Sequence, residues 1–226
     1  MRGGKVARQT KHYIAVIADM VKSRELPRAR RAMVQKHFGE LVADLNRRFR
    51  TGIAANFAVT LGDEFQGLLN TSTIIPDLIW RLEEGFSDRQ LRVGIGFGAL
   101  DTPIQRDALN IDGPVLHRAR EAIGIAAKAG ILGGIFRGFD TLDDVLTGIA
   151  RLLWFHRSRW TDAQRKIANL LREGRSQSEV AERLGVSRQV ISKQVAALGW
   201  PAYSSGENSW RIILRDYVDP RIGNTP

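Results

Sequence analysis

Residues 13–18 (YIAVIA) form an unbroken apolar run that ends at Asp19. A run this short, partly β-branched and without polar alternation, suits a strand buried on both faces. Behind Pro27, Val34, Phe38, Leu41, Val42, Leu45 and Phe49 recur at helical spacing among arginines and lysines, and Gly52 closes the pattern. Residues 57–61 read as a strand, Gly62 and Asp63 as a turn, and residues 65–69 as the returning strand of a tight hairpin. Ile75, Leu78, Ile79, Leu82 and Phe86 mark a second helix, and residues 91–98 a strand with glycine at every second place. The order is β-α-β-β-α-β, the split βαβ or ferredoxin-like arrangement of an α+β protein. A helix over about 114–129, a strand near Ile135 and Phe136, and a helix from Thr141 towards Trp154 follow it.

The chain then changes character. Thr161 and Asp162 give helix-start chemistry, with Ile167, Leu170 and Leu171 as the apolar face. Gly174 ends that helix. Ser176 caps a second one carrying Val180, Ala181 and Leu184. Gly185 makes the turn, and Ser187 caps a third helix expected to bury Val190, Ile191, Val195 and Leu198. This is helix-turn-helix spacing, similar to sigma-factor region 4. The polar positions of the third helix are Ser187, Arg188, Gln189, Ser192 and Lys193. Arg188 and Gln189 suit base edges, and Ser192 and Lys193 suit phosphate, of double-stranded DNA. The same internal core also serves three-helix modules that dock on proteins. Tyr203 and residues 210–214 flank a Ser-Gly-Glu-Asn segment that reads as a β-hairpin wing. The expected organisation is a basic tail over 1–12, a palm domain over 13–157 and a helical DNA-binding domain over 158–226, with a linker at 156–160.

Composition narrows the function classes. The chain has 226 residues, a net charge of +10 and no cysteine. Thiolate zinc sites, disulfide frameworks and cysteine nucleophiles are excluded. No apolar run reaches the ~20 residues that span a bilayer, so a cytoplasmic protein without a membrane partner is expected. Excess positive charge, present in both parts, favours a polyanionic partner.

The topology also brings two carboxylates together. The end of the first strand meets the start of the third, which sets Asp19 beside Asp63. Close carboxylates repel and usually need a cation. Oxygen-only ligands suit Mg²⁺ or Mn²⁺, which commonly bridge phosphates. Lys22, Ser23 and Arg24 add a cation, a hydroxyl and a guanidinium for phosphates. Strand alternation is expected to turn Glu64 to the opposite face. The plainer reading makes Asp19 a strand end and Gly62-Asp63 a turn. The glycines at 94, 96 and 98 lie within a strand and are expected to admit a close-packed helix rather than a ligand.

DMVKS after an apolar strand, followed by TLGDEF, resembles the palm-type core of class III nucleotidyl cyclases and GGDEF-type diguanylate cyclases. That resemblance implies metal ligation by Asp19 and Asp63. Over nearly its whole length the chain is similar to the bacterial SatD-like proteins, through IADMVKSREL, LGDEFQGLL, RVGIGFGALDT, and the DGP step with AREAI. Val59 stands where class III cyclases carry a purine-reading lysine, and Leu116 where they carry an asparagine. Arg120 matches their transition-state arginine, and Leu61 replaces the second glycine of GGDEF. The resemblance implies a nucleotide, a nucleoside triphosphate among the candidates, held by Lys22, Ser23, Arg24, Gly62, Asp112, Gly113 and Arg120. Two functions follow as expectations. One is a DNA-binding regulator whose palm binds a nucleotide with a divalent metal. The other is an active nucleotidyl cyclase or nucleotidyltransferase with Lys22 and Arg120 as catalytic groups. A homodimer is expected under both.

Overall fold

The computed structural model describes residues 11–21, 27–61, 63–85 and 90–223. Five strands, β1 (His12–Met20), β2 (Ile53–Leu61), β3 (Glu64–Leu69), β4 (Leu91–Ala99) and β5 (Ile135–Arg137), form one sheet in the order β2-β3-β1-β4-β5. All neighbours are antiparallel except β4 and β5, so the sheet is mixed. The first four strands with α1 (Arg28–Arg48) and α2 (Ile75–Gly85) keep the expected ferredoxin-like order. Helix α3 (Pro114–Ala129) then crosses over to β5.

β1 explains its own sequence. Ile14, Val16, Ala18 and Met20 are buried with α1 and α2, whereas Tyr13, Ala15 and Ile17 are buried with α3. A central strand covered on both faces has no solvent side and needs no polar alternation. The hairpin strand β2 begins at Ile53, earlier than expected, and its pairing with β3 slips at three places. Asn46 of α1 explains why it stays extended, donating to the Phe57 carbonyl (2.9 Å) and accepting from the Phe57 amide (2.8 Å).

The β4 glycines admit a helix, as expected. A Cβ on Gly96 would lie 2.3 Å from the Val115 carbonyl oxygen, and one on Gly94 would lie 2.5 Å from that of Ala119. Backbone meets backbone there, and no side-chain adjustment can relieve such a clash.

The C-terminal region is helical: α4 (Leu142–Ser158), α5 (Asp162–Arg172), α6 (Gln177–Leu184), α7 (Arg188–Ala197) and α8 (Trp200–Ile213). Capping boxes at Thr161 and Ser176 start α5 and α6, and Gly185 ends α6 in the left-handed conformation that favours glycine. Three expectations need correction. The segment read as a linker, 156–160, is the end of α4 and the turn after it, and Arg157 and Trp160 are buried. Residues 203 and 210–214, read as a wing, belong to α8 and the turn that follows. Tyr203, Glu207, Trp210 and Leu214 are buried at helical spacing, and Pro201 sits in the first turn. Val190, assigned to the interior, is exposed, as is Leu184 of α6. Val180, Ala181, Ile191 and Val195 fill that small core without them.

This region is seated on the palm through one face of α2. The buried Arg157 guanidinium donates to both Glu83 oxygens (2.8 and 2.6 Å) and to the Tyr203 hydroxyl (2.8 Å). Trp80 Nε1 donates to Asn169 (2.9 Å). Arg211 makes a two-pronged pair with Asp77 (2.7 and 2.9 Å), and Arg172 bridges Asp77 and Glu207. Burial alone would raise the Asp77 and Glu207 carboxyls. The hydrogen bonds and charges of Arg211 and Arg172 outweigh it and hold both below the usual range.

Two outcomes follow. Gly96→Ala should destabilise the protein by roughly 2–3 kcal/mol or more, because it overpacks rigid backbone. Gly124→Ala, in α3 with open space where its Cβ would be, should instead stabilise by about 0.5–1 kcal/mol. Urea titration of both variants checks the contrast. Because Asp77 and Glu207 have depressed folded values, the stability they contribute is present above their ordinary 3.8 and 4.5. It is lost as the pH falls through the lower folded values. Tryptophan fluorescence, reporting Trp80, Trp160 and Trp210 at this seam, should shift on acidification, and Glu207→Gln should flatten that dependence.

Candidate functional site

The end of β1 carries the charged cluster. Asp19 is paired across the backbone with Glu64 of β3 on one side and Arg92 of β4 on the other. The Met20 amide donates to the Asp63 carbonyl (3.0 Å), which sets the hairpin turn against the end of β1. The expected meeting of Asp19 with the 63–64 turn is therefore present in the backbone.

The side chains add groups that the sequence reading missed. Directly paired residues share a face, so Glu64, expected to point away, is the carboxylate opposite Asp19. Asp63 is a turn residue and Glu64 the first residue of β3, so the alternation assumed from Asp63 does not carry across to it. Arg92 grips both Asp19 oxygens, from Nε and Nη2, at 2.8 Å each. Glu64 accepts from the Thr60 hydroxyl (2.8 Å) and from Arg120 of α3. Arg120 thus reaches the cluster, where it neutralises Glu64.

Burial raises the Asp19 carboxyl above its usual range. The Arg92 charge and hydrogen bond oppose that rise, and Glu64 and Asp63 add to it. Asp63 and Glu64 thus both lie within electrostatic reach of Asp19. Among the described residues, no three carboxylate or imidazole side chains converge as a ready-made metal cage. Lys22, Ser23, Arg24 and Gly62 lie outside the described residues.

Asp112 and Gly113 are placed elsewhere. The Asp112 carbonyl accepts from Asp101, just past the end of β4, whereas Asp19 pairs with Arg92 near its start. His12↔Ala99 and Asp19↔Arg92 lie seven residues apart along β1, or roughly 23 Å at ~3.3 Å per residue. The structure therefore does not bring Asp112 and Gly113 to the carboxylates. Asp112 instead accepts from the Gly113 amide and lies 2.8 Å from His117 Nε2. Gly113 has φ 148°, and a Cβ there would lie 2.6 Å from the Asp101 amide nitrogen. The step is a turn and helix start.

The second candidate surface is α7. Ser187 caps it, its hydroxyl accepting from the Val190 amide. Ser187, Arg188, Gln189, Ser192 and Lys193 are all exposed, and Ile191 and Val195 hold the opposite side in the core. Residues 188, 189, 192 and 193 follow i, i+1, i+4, i+5 spacing and so form one continuous polar face. Trp160 Nε1 donates to the Leu198 carbonyl at the end of this helix (2.9 Å), tying α7 to the buried end of α4.

No helix among the described residues is long and apolar enough to cross a membrane. No curated protein sequence matches the chain. Among solved structures it is similar to a bacterial light-regulated adenylyl cyclase, with a TM-score of 0.41 at 12% identity over 57% of this chain and 76% of the other. It is also similar to a dimeric guanylyl cyclase domain from the aquatic fungus Blastocladiella emersonii (TM-score 0.32, 16% identity, 50% and 74% coverage). A guanylate cyclase domain from Catenaria anguillulae in complex with GTP gives a TM-score of 0.32 at 17% identity over 50% and 73% of the two chains. The model of the SatD family matches residues 13–208, and this chain therefore belongs to the SatD family.

Proposed function

We propose that the protein is a DNA-binding regulator. In this reading α6 and α7 form a helix-turn-helix, and the carboxylate end of the palm takes a nucleotide together with a divalent cation. The observation that carries the reading is the α7 face, with five polar residues exposed on a helix capped at its start and locked into a core behind. In a helix-turn-helix the second helix enters the major groove with its first residues at base edges. Arg188 and Gln189 occupy those places; Ser192 and Lys193, one turn later, suit the phosphate backbone. The net charge of +10 supplies the attraction that such binding needs.

The palm half rests on donor chemistry. Asp19, Asp63 and Glu64 are all-oxygen donors at one sheet end, the type that suits Mg²⁺ or Mn²⁺. Asp19 and Asp63 would hold the ion, which supplies positive charge to a phosphate group. Arg92 and Arg120 already lie beside these carboxylates and are suited to bind phosphate oxygens in two-pronged fashion. Lys22, Ser23 and Arg24 follow Asp19 in sequence and complete the proposed phosphate set. Turnover of a nucleoside triphosphate is the competing reading.

Selection from a randomised duplex pool, then anisotropy titration at 50 and 200 mM salt, tests the DNA half. Binding should weaken steeply with salt. Lys193→Ala should lower affinity on all duplexes and reduce the salt slope by about one unit. Arg188→Ala should cost about 1–3 kcal/mol and relax preference at one base position. Absence of salt-sensitive affinity for any duplex would overturn this half.

For the palm, equilibrium dialysis with nucleoside triphosphates and Mg²⁺ should show cation-dependent retention that Asp63→Asn weakens at least tenfold. Equal retention by that variant would remove the site. A new nucleotide product, lost in Asp63→Asn, would make the protein an enzyme instead.

A further inference from the structure

Helix α4 buries Leu146, Ala150, Leu153 and Arg157 against the fold, yet its outer side carries large apolar residues as well as Asp144 and Arg151. Leu152 is 70% exposed, Phe155 54% and Val145 43%. With Gly148 these residues stand at 145, 148, 152 and 155, the alternating three-and-four spacing of a two-helix seam. A Cβ on Gly148 would meet nothing within 4 Å, so the seam has an open notch. Beside the notch lies a cavity of about 470 Å³, lined by Ile131, Leu132, Gly148, Leu152, Trp154 and Phe155 among others. Large apolar side chains on a seam beside a groove that is apolar except for Arg151 mark a contact surface rather than ordinary solvent exposure.

The order of sizes along the seam identifies the occupant. Reading from the start of the helix, Val145 and Gly148 are small and Leu152 and Phe155 are large. A second α4 laid antiparallel, with its two-fold axis near residue 150, sets 145 against 155 and 148 against 152 in each copy. Each large side chain then meets a small one: Phe155 faces Val145, and Leu152 enters the notch at Gly148 and the cavity beside it. A parallel partner would instead stack Leu152 on Leu152 and leave both notches empty. Side-chain charge does not select the orientation. In this register residue 144 comes opposite 156, and Arg159 lies over its own Phe155 ring, 5.3 Å from the ring centre. Helix dipoles also favour antiparallel neighbours. Arg151 lies near the axis beside its own copy, so apolar burial carries the association.

We infer that this α4 face is the surface through which two copies of the chain form an isologous, two-fold dimer. Such an interface is self-complementary by construction. The inference does not depend on the DNA or nucleotide readings.

Sedimentation velocity of the full chain from 1 to 100 μM should show a dimer. Leu152→Asp should yield monomer with an unchanged circular dichroism spectrum. Gly148→Leu gives the sharper test. In the monomer the added side chain enters open space and replaces a helical glycine, so the thermal midpoint measured on monomer should not fall. In the dimer it fills the notch that Leu152 of the other copy needs, so association should drop at least tenfold. A monomeric wild-type chain at 100 μM would overturn the inference, as would a dimer that survives both substitutions.

Discussion

A guanidinium taken out of water must be matched by opposite charge and by acceptors for its N–H groups. Arg157 is such a group, and the seating of the C-terminal region depends on it. Its match comes from two elements at once, Glu83 on α2 and Tyr203 on α8. Losing either leaves donors buried, and stranding the charge costs on the order of 3–5 kcal/mol. Against a total of about 5–15 kcal/mol for a folded domain, that is a large share. The requirement fixes α4 and α8 to α2, and α2 belongs to the palm.

The other contacts of the seam follow from that fixed point. Asp77, Trp80 and Glu83 recur every third residue along α2 and so face one way. Once Arg157 holds Glu83, Trp80 lies beside Asn169 and under the Arg172 guanidinium, 4.1 Å from its ring centre. Asp77 then meets Arg172 and Arg211. Three helices of the C-terminal region are thereby tied to one helix of the palm. A single apolar cluster runs through both, from Ile14 and Phe38 to Ile191 and Trp210. The α7 face is thus carried by helices that share one apolar core with the sheet.

The fold was legible where local pattern and burial coincide. The apolar run at 13–18, the helical spacing of 34–49 and the caps at Thr161, Ser176 and Ser187 each describe their own surroundings. The readings that failed depended on distant partners. Residues 200–214 contain Ser, Gly and Asn, which argue for a turn, yet burial of Tyr203, Trp210 and Leu214 against α4 and the palm overrides that propensity. The end of α4 looks polar because it carries His156, Arg157 and Arg159, and only Glu83, 74 positions away, explains why Arg157 is buried. Glu64 was misplaced by a single step of alternation, since a one-residue change in register moves a side chain to the other face. Arg92 was legible only through its pairing with Asp19 across β1 and β4.

The charge balance at the sheet end constrains how the proposed palm ligand enters. Asp19, Asp63 and Glu64 carry three negative charges when ionised, and Arg92 and Arg120 carry two positive ones. Both Asp19 oxygens are already engaged by Arg92. A divalent cation at Asp19 therefore competes with a guanidinium 2.8 Å away, and like charges so close oppose one another strongly in a partly buried site. A bare cation gains little there, because it must displace an ion pair that is already made. A cation carrying phosphate would differ: the phosphate oxygens would offer Arg92 and Arg120 new acceptors, leaving Asp19 and Asp63 to hold the ion. In the proposed reading the site would therefore hold a metal–nucleotide pair better than either component alone, a coupling that would arise from the two arginines the sequence did not reveal as a unit.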